Sequence, residues 1–159
     1  MKKVFHFETR RESYSCDAVV LWCFDNRFHL PFSKFLKRLG IINPDPIKIA
    51  GGAKSLSSPA QETEREFILD QIRTSMRLHQ TRRAILMLHS DCGGYGGLAG
   101  GFDNDPSREA NHHENELKRA MACLQERIPE IEVQAYFVDF DGVWEVELAS
   151  PTTRTQAGS

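Results

Sequence analysis

The sequence predicts an α/β fold: a single-domain three-layer sandwich with a central, mainly parallel sheet of about four strands plus an antiparallel edge strand. Three observations carry this. The apolar runs Ala18-Val19-Val20-Leu21-Trp22 and Ala84-Ile85-Leu86-Met87-Leu88 read as strands buried on both faces. Helical patterns alternate with these runs, which is the arrangement of a parallel sheet with crossover connections. Near the end, residues 133–140 and 143–148 flank Asp141-Gly142, a tight hairpin turn that adds an antiparallel strand.

Residues 1–16 are polar and read as a short arm or edge segment. The first strand spans 17–24. Pro31 opens a helix, because its missing N–H costs nothing in a first turn. Phe32, Phe35, Leu36 and Leu39 follow at helical spacing, and Gly40 ends the run. Asn43-Pro44-Asp45-Pro46 reads as a turn before a short strand at 47–50 that ends in Gly51-Gly52. Ser58-Pro59-Ala60-Gln61 reads as a capping box with proline at the first helical position, starting a helix that runs to about His79. Its inward face carries Ile68, Ile72, Ser75, Met76 and His79.

A third strand at 84–88 leads into a long glycine-rich loop at 93–104. Asp105-Pro106 begins a helix with the core stripe Leu117, Ala120, Met121, Leu124 and Ile128, and Pro129 lies just beyond its end. Residues 1–150 read as one domain, and the small polar tail 151–159 is expected to be disordered.

Composition narrows the function classes. The chain has 159 residues, net charge −2, 40% hydrophobic and 26% charged residues, the profile of an ordinary globular domain. That charge gives no electrostatic footprint for nucleic acid or an anionic membrane. The start has two lysines with no apolar run behind them, so no secretory signal is expected, and no stretch approaches a membrane span. The cytoplasm is the expected compartment, so Cys16, Cys23, Cys92 and Cys123 are expected as thiols or ligands.

Two strand ends carry the chemistry. One reads Cys23-Phe24-Asp25-Asn26-Arg27 and the other His89-Ser90-Asp91-Cys92-Gly93. Ligands of open α/β sheets bind outside the carboxyl ends of strands, so the two segments are expected to meet there and hold one zinc through Cys23, His89 and Cys92. Three protein ligands leave a fourth tetrahedral position, where the pKa of water falls from ~15.7 towards ~7. Asp25 can orient that water or fill the position itself. Arg27 can hold Asp25 through a bidentate pair, and competition between metal and Arg27 for this carboxylate is a candidate switch.

Either cysteine alone reads equally well as a core thiol. Cys123 follows a core stripe and Cys16 has no partner in the pattern. His112 and His113 read as solvated, with a proton relay as the alternative, and His6, His29 and His79 belong to no constellation. Phe28, Phe32, Leu98 and Phe102 fit either core packing or an apolar pocket. The glycines after Cys92 are no phosphate cradle, because no Lys-Ser/Thr follows them.

The paired motifs Cys23-x-Asp25-x-Arg27 and His89-x-x-Cys92-Gly93, with Ala50-Gly51-Gly52 between them, resemble the β-class carbonic anhydrases over roughly residues 17–148. The resemblance implies a β-carbonic anhydrase-like fold and a zinc enzyme that hydrates carbon dioxide reversibly to bicarbonate by zinc-bound hydroxide. It implies zinc on Cys23, His89 and Cys92, an Asp25–Arg27 catalytic dyad, and a homodimer or higher homo-oligomer. Gly51, Gly52 and Gly93 are assigned to substrate binding. Two other readings stay open: a same-fold hydrolase of carbonyl sulfide or carbon disulfide, and a catalytically silent zinc-binding protein. The chain departs from the family at Lys48-Ile49, where an Arg-Asn pair is usual, and in its short N-terminal arm.

Overall fold

The apolar runs form β1 (Ala18–Cys23) and β3 (Arg83–His89), adjacent parallel strands in the interior of a five-stranded sheet. The computed structural model describes residues 1–148, so the expected tail at 151–159 lies outside the described residues. β2 (Pro44–Ile49) pairs in parallel with β1, and β4 (Glu132–Val138) pairs in parallel with β3. β5 (Val143–Val146) returns antiparallel to β4, giving the order β2-β1-β3-β4-β5.

Helices cover both faces. On one, Phe28 and the residues Phe32 and Leu36 of α1 (His29–Arg38) pack on Ala18, Val20, Trp22, Ile85 and Met87. On the other, α2 (Lys54–Ser57), α3 (Glu62–His79) and α5 (Pro106–Arg127) pack on Val19, Leu21, Leu86 and Leu88. Successive β1 residues thus go to opposite clusters, as the pleat of a strand requires. The mainly parallel three-layer sandwich expected from the sequence is the one observed.

Several local expectations change. Pro44-Asp45-Pro46 is strand rather than turn. The prolines are two residues apart, so both missing donors fall on one side of β2, and an edge strand tolerates them on the side away from its neighbour. α1 begins at His29, after a 3-10 turn (Asn26–Phe28) capped by Asp25, so Pro31 lies inside the first turn rather than opening it. α3 begins at Glu62 with no side-chain cap. The expected capping box does not form, because the Ser58 hydroxyl donates to Glu116 instead. The glycine-rich loop contains α4 (Gly97–Phe102), whose Leu98 N–H donates to Asp91 Oδ1 at 2.9 Å. The expected start of α5 is observed: Asp105 Oδ1 accepts from the N–H groups of Ser107 and Arg108.

Glu116 of α5 is buried and ties three segments together. It accepts from Ser57 at 2.7 Å, from Tyr95 at 2.9 Å, from Ser58 and from Arg119. Burial alone would raise its carboxyl, but the Ser58, Ser57, Arg119 and Tyr95 donors outweigh that and hold it at about 2. A depressed folded-state pKa contributes stability above the ordinary value of 4.5, and that contribution is lost as pH falls towards 2. Glu116→Gln is therefore expected to lose about 1–3 kcal/mol in urea unfolding at pH 7. The gap to the parent narrows between pH 5 and pH 3, and an unchanged gap counts against the network.

Candidate metal centre

The site forms where β1 and β3 end. Cys23 is the last residue of β1 and His89 the last of β3; Cys92 follows after the turn Ser90-Asp91, with Asp91 at φ +54°. The Sγ atoms of Cys23 and Cys92 and a ring nitrogen of His89 lie within 4.8 Å of one another, and all three residues are buried. The three expected ligands are thus brought together.

Hydrogen bonding sets the histidine tautomer. Nδ1 lies 2.8 Å from the carbonyl of Ser90, which can only accept, so Nδ1 carries the proton. Nε2 is left as a buried lone pair with no hydrogen-bond partner. An orphaned acceptor beside two thiols is what a tetrahedral N/S site for zinc requires, so the residues fit the metal. The Cys92 thiol beside it pushes the Cys23 thiol down, and Cys23 together with burial pushes Cys92 up. Burial opposes charge on His89, but Cys23 and the Ser90 carbonyl outweigh it and raise its pKa.

Asp25 stands beside the cluster, its Oδ2 4.0 Å from His89 Nε2. Arg27 holds it through Nη2 at 2.7 Å, through Nε at 3.1 Å and through the backbone N–H at 3.0 Å. Those hydrogen bonds from Arg27 keep the Asp25 carboxyl below the usual range. Arg27 also donates from Nη1 to Asp91 Oδ2 at 2.9 Å and from Nη2 to the Asp91 carbonyl at 3.1 Å, so one guanidinium joins both strand ends.

The glycines give close backbone approach. Gly52 has φ +52°, and a Cβ there would lie 2.6 Å from the Met87 carbonyl oxygen and 3.0 Å from the Cys23 nitrogen. A Cβ on Gly94 would lie 2.9 Å from Gly51 Cα. Gly51 sits next to Gly52 at the same edge, with its N–H favouring the thiolates of both cysteines. Gly93 has open space where a side chain would be. A cavity of about 600 Å³ touches this region at Ala50 and Gly94, but none of the three clustered residues lines it. Phe28, Phe32 and Phe102 are buried and belong to packing; the Phe28 ring lies 4.6 Å from that of His89.

The residue supporting the turn is one sequence reasoning passes over. Glu109 of α5 is fully buried and accepts from Ser90 Oγ at 2.5 Å and from the Asp91 N–H at 2.7 Å. His113, read from the sequence as solvated, is also fully buried; burial lowers it to about 3 and neither ring nitrogen has a partner. His112 is exposed as expected. The one available signal was the spacing of Glu109, His113 and Glu116, which puts all three on one helix face.

The fold and site define a β-carbonic anhydrase-like α/β protein with a buried Cys/His/Cys cluster. Solved structures share the fold at low identity. Carbonic anhydrase from Streptococcus mutans is 17% identical with a TM-score of 0.56, covering 88% of each chain. β-Carbonic anhydrase isoform I of Trichomonas vaginalis is 14% identical with a TM-score of 0.58, covering 89% of this chain and 87% of that one. One of two tetrameric β-carbonic anhydrases from Sordaria macrospora is 16% identical with a TM-score of 0.57, covering 87% of this chain and 84% of that one. Residues 13–150 match the family described as "Putative carbonic anhydrase", and the chain belongs to that family. Two uncharacterized rickettsial proteins are related over 142 residues, or 88% of this chain. The one from Rickettsia conorii is 26% identical with 75% of its length covered, and the one from Rickettsia bellii is 25% identical with 85% covered.

Removing the support beneath the turn is expected to loosen the site. Glu109→Ala should weaken zinc binding by about 10–100-fold in chelator competition. Parent-like affinity in a folded variant means that the buried carboxylate does not hold the ligands.

Proposed function

We propose that this chain is a zinc-dependent carbonic anhydrase of the β class that interconverts carbon dioxide and bicarbonate. The carrying observation is the orphaned, buried Nε2 of His89 set among two thiols, with an arginine-held aspartate beside it. Family membership and the shared fold support the same reading. Cys23, His89 and Cys92 are assigned as the ligands.

Zinc held there supplies a Lewis acid that brings the pKa of bound water from ~15.7 towards ~7. Asp25 stays ionised under Arg27, so it accepts a hydrogen bond from the reacting water and aims its lone pair at the substrate carbon. Arg27 spends its donors on Asp25 and Asp91 and so keeps the carboxylate from turning into the ligand cluster. Gly93 leaves open space for a small linear substrate at the strand edge, and Gly51 and Gly52 shape that edge by letting backbone approach closely. The buried cluster excludes bulk water from the ligands.

A homodimer or larger homo-oligomer belongs to the same proposal; the Sordaria macrospora relatives are described as tetrameric. Among the described residues no helix is long and apolar enough to cross a membrane. A reducing compartment such as the cytoplasm suits the thiol ligands.

The test is stopped-flow carbon dioxide hydration on protein of measured zinc content. Cys92→Ser is expected to abolish hydration, and Asp25→Asn to slow it by about 10²–10⁴-fold. No hydration by protein carrying Cys92-dependent zinc overturns the reading. Release of hydrogen sulfide from carbonyl sulfide by that protein assigns it to the hydrolase alternative instead.

A further inference from the structure

At the opposite end of the sheet a second set of ligand-type side chains converges. Cys16 lies just before β1, Asp45 is in β2 and His79 is the last residue of α3. Seven residues of extended chain separate Cys16 from Cys23, which places this cluster roughly 20 Å from the first. Its thiol sulfur, a carboxylate oxygen and a ring nitrogen lie within 4.8 Å of one another, as the corresponding atoms of Cys23, His89 and Cys92 do.

The approach is direct. Cys16 Sγ donates to Asp45 Oδ1 at 3.1 Å, and His79 Nδ1 lies 2.7 Å from Asp45 Oδ2. Ser75 Oγ donates to Asp45 Oδ2 at 2.6 Å and is itself 2.6 Å from Thr81 Oγ1. This orients the carboxylate from behind, as outer partners of metal ligands do. The backbone is pinned as well: the Cys16 N–H donates to the His79 carbonyl at 3.0 Å, and the Asp17 N–H to that of Asn43 at 3.0 Å. The Tyr14 ring stacks on His79 at 4.3 Å.

The geometry points to a second divalent-cation site, taking zinc through Cys16 Sγ, Asp45 and His79 Nδ1 and clipping the segment before β1 to β2 and to the end of α3. One thiolate, one imidazole and one carboxylate form a mixed donor set suited to zinc. Burial and Asp45 push the free Cys16 thiol up to about 12, so its proton sits on sulfur beside the carboxylate and is released to solvent when the cation takes its place. Entry is open. Asp45 and His79 keep side-chain exposures of 19% and 24%, and both line a cavity of about 210 Å³ that leaves room for a water as fourth ligand.

The test counts metal on the full chain. Demetallated parent protein, titrated with Zn²⁺ and separately with Co²⁺, is expected to bind two ions per chain. Cys16→Ser and His79→Ala are each expected to bind one. The Co²⁺ form of Cys92→Ser should keep a thiolate-to-cobalt absorption band that disappears when Cys16→Ser is added. Zinc should also raise the Tm of Cys92→Ser but not that of the double variant.

A parent that binds one ion and loses none in Cys16→Ser overturns the second site and leaves the first untouched. One ion lost in Cys16→Ser but retained in Cys92→Ser supports the second site and counts against the first. Because the parent stoichiometry needs no variant, misfolding of a variant does not rescue the proposal.

Discussion

Parallel pairing of β1 with β3 is the constraint on which the site depends. The register Val19 with Ala84, Val20 with Ile85 and Leu21 with Leu86 brings the two strands to their ends together. Cys23 continues the row of Val19 and Leu21, whereas His89 continues the row of Ile85 and Met87. The first row packs under α3 and α5 and the second under α1. The two side chains therefore approach each other around the end of the sheet from opposite faces. A one-residue slip of either strand would turn that strand's side chains to the other face and carry its site residue out of place. Some of the largest fully buried side chains, Leu21, Ile85, Leu86 and Met87, lie in this stretch, so the cost of any slip is spread through the core.

The turn between His89 and Cys92 has little apolar surface of its own and is held by charge. Arg27 grips it from the β1 side through Asp91, and Glu109 grips it from the α5 side through Ser90 and the Asp91 N–H. Two helical turns further along α5, Glu116 fixes Tyr95, just after Cys92, through its hydroxyl. Lys54 adds a bond to the Gly94 carbonyl at 2.5 Å and lies over the Tyr95 ring. A segment so rich in glycine loses much backbone entropy on ordering, and these ionic and hydrogen-bonded anchors offset it.

What the sequence made legible follows physical range. β1 and β3 were readable because strands buried on both faces are apolar throughout. α5 was readable because a cap, a proline and a long apolar stripe agree. The Cys23, His89 and Cys92 set was readable because Cys23 and His89 end neighbouring parallel strands, Cys92 follows within one short turn, and parallel strand ends coincide. The second half of β2 was readable, but its start reads as a turn because Pro44 and Pro46 are acceptable only on an edge, and edge position is a property of the whole sheet. α4 was missed because a glycine-rich turn of helix has no intrinsic preference to form and rests partly on Asp91. Ser58 looked like a cap until Glu116, distant in sequence, took its hydroxyl. Cys16, Asp45 and His79 show no pattern because their meeting depends on the entry to β1, the start of β2 and the end of α3 falling at one corner.

The two prolines of β2 have a consequence for how molecules of this chain meet. The outer edge of β2 is a free edge of the sheet, and a row of unpaired donors on such an edge invites a strand from another chain. With Pro44 and Pro46 both withholding donors along that side, an incoming strand would find acceptors with gaps between them and could not build a continuous ladder. This border is thereby protected from open-ended, fibre-like stacking, and contacts made there are left to side chains, whose shape and charge can select a particular partner.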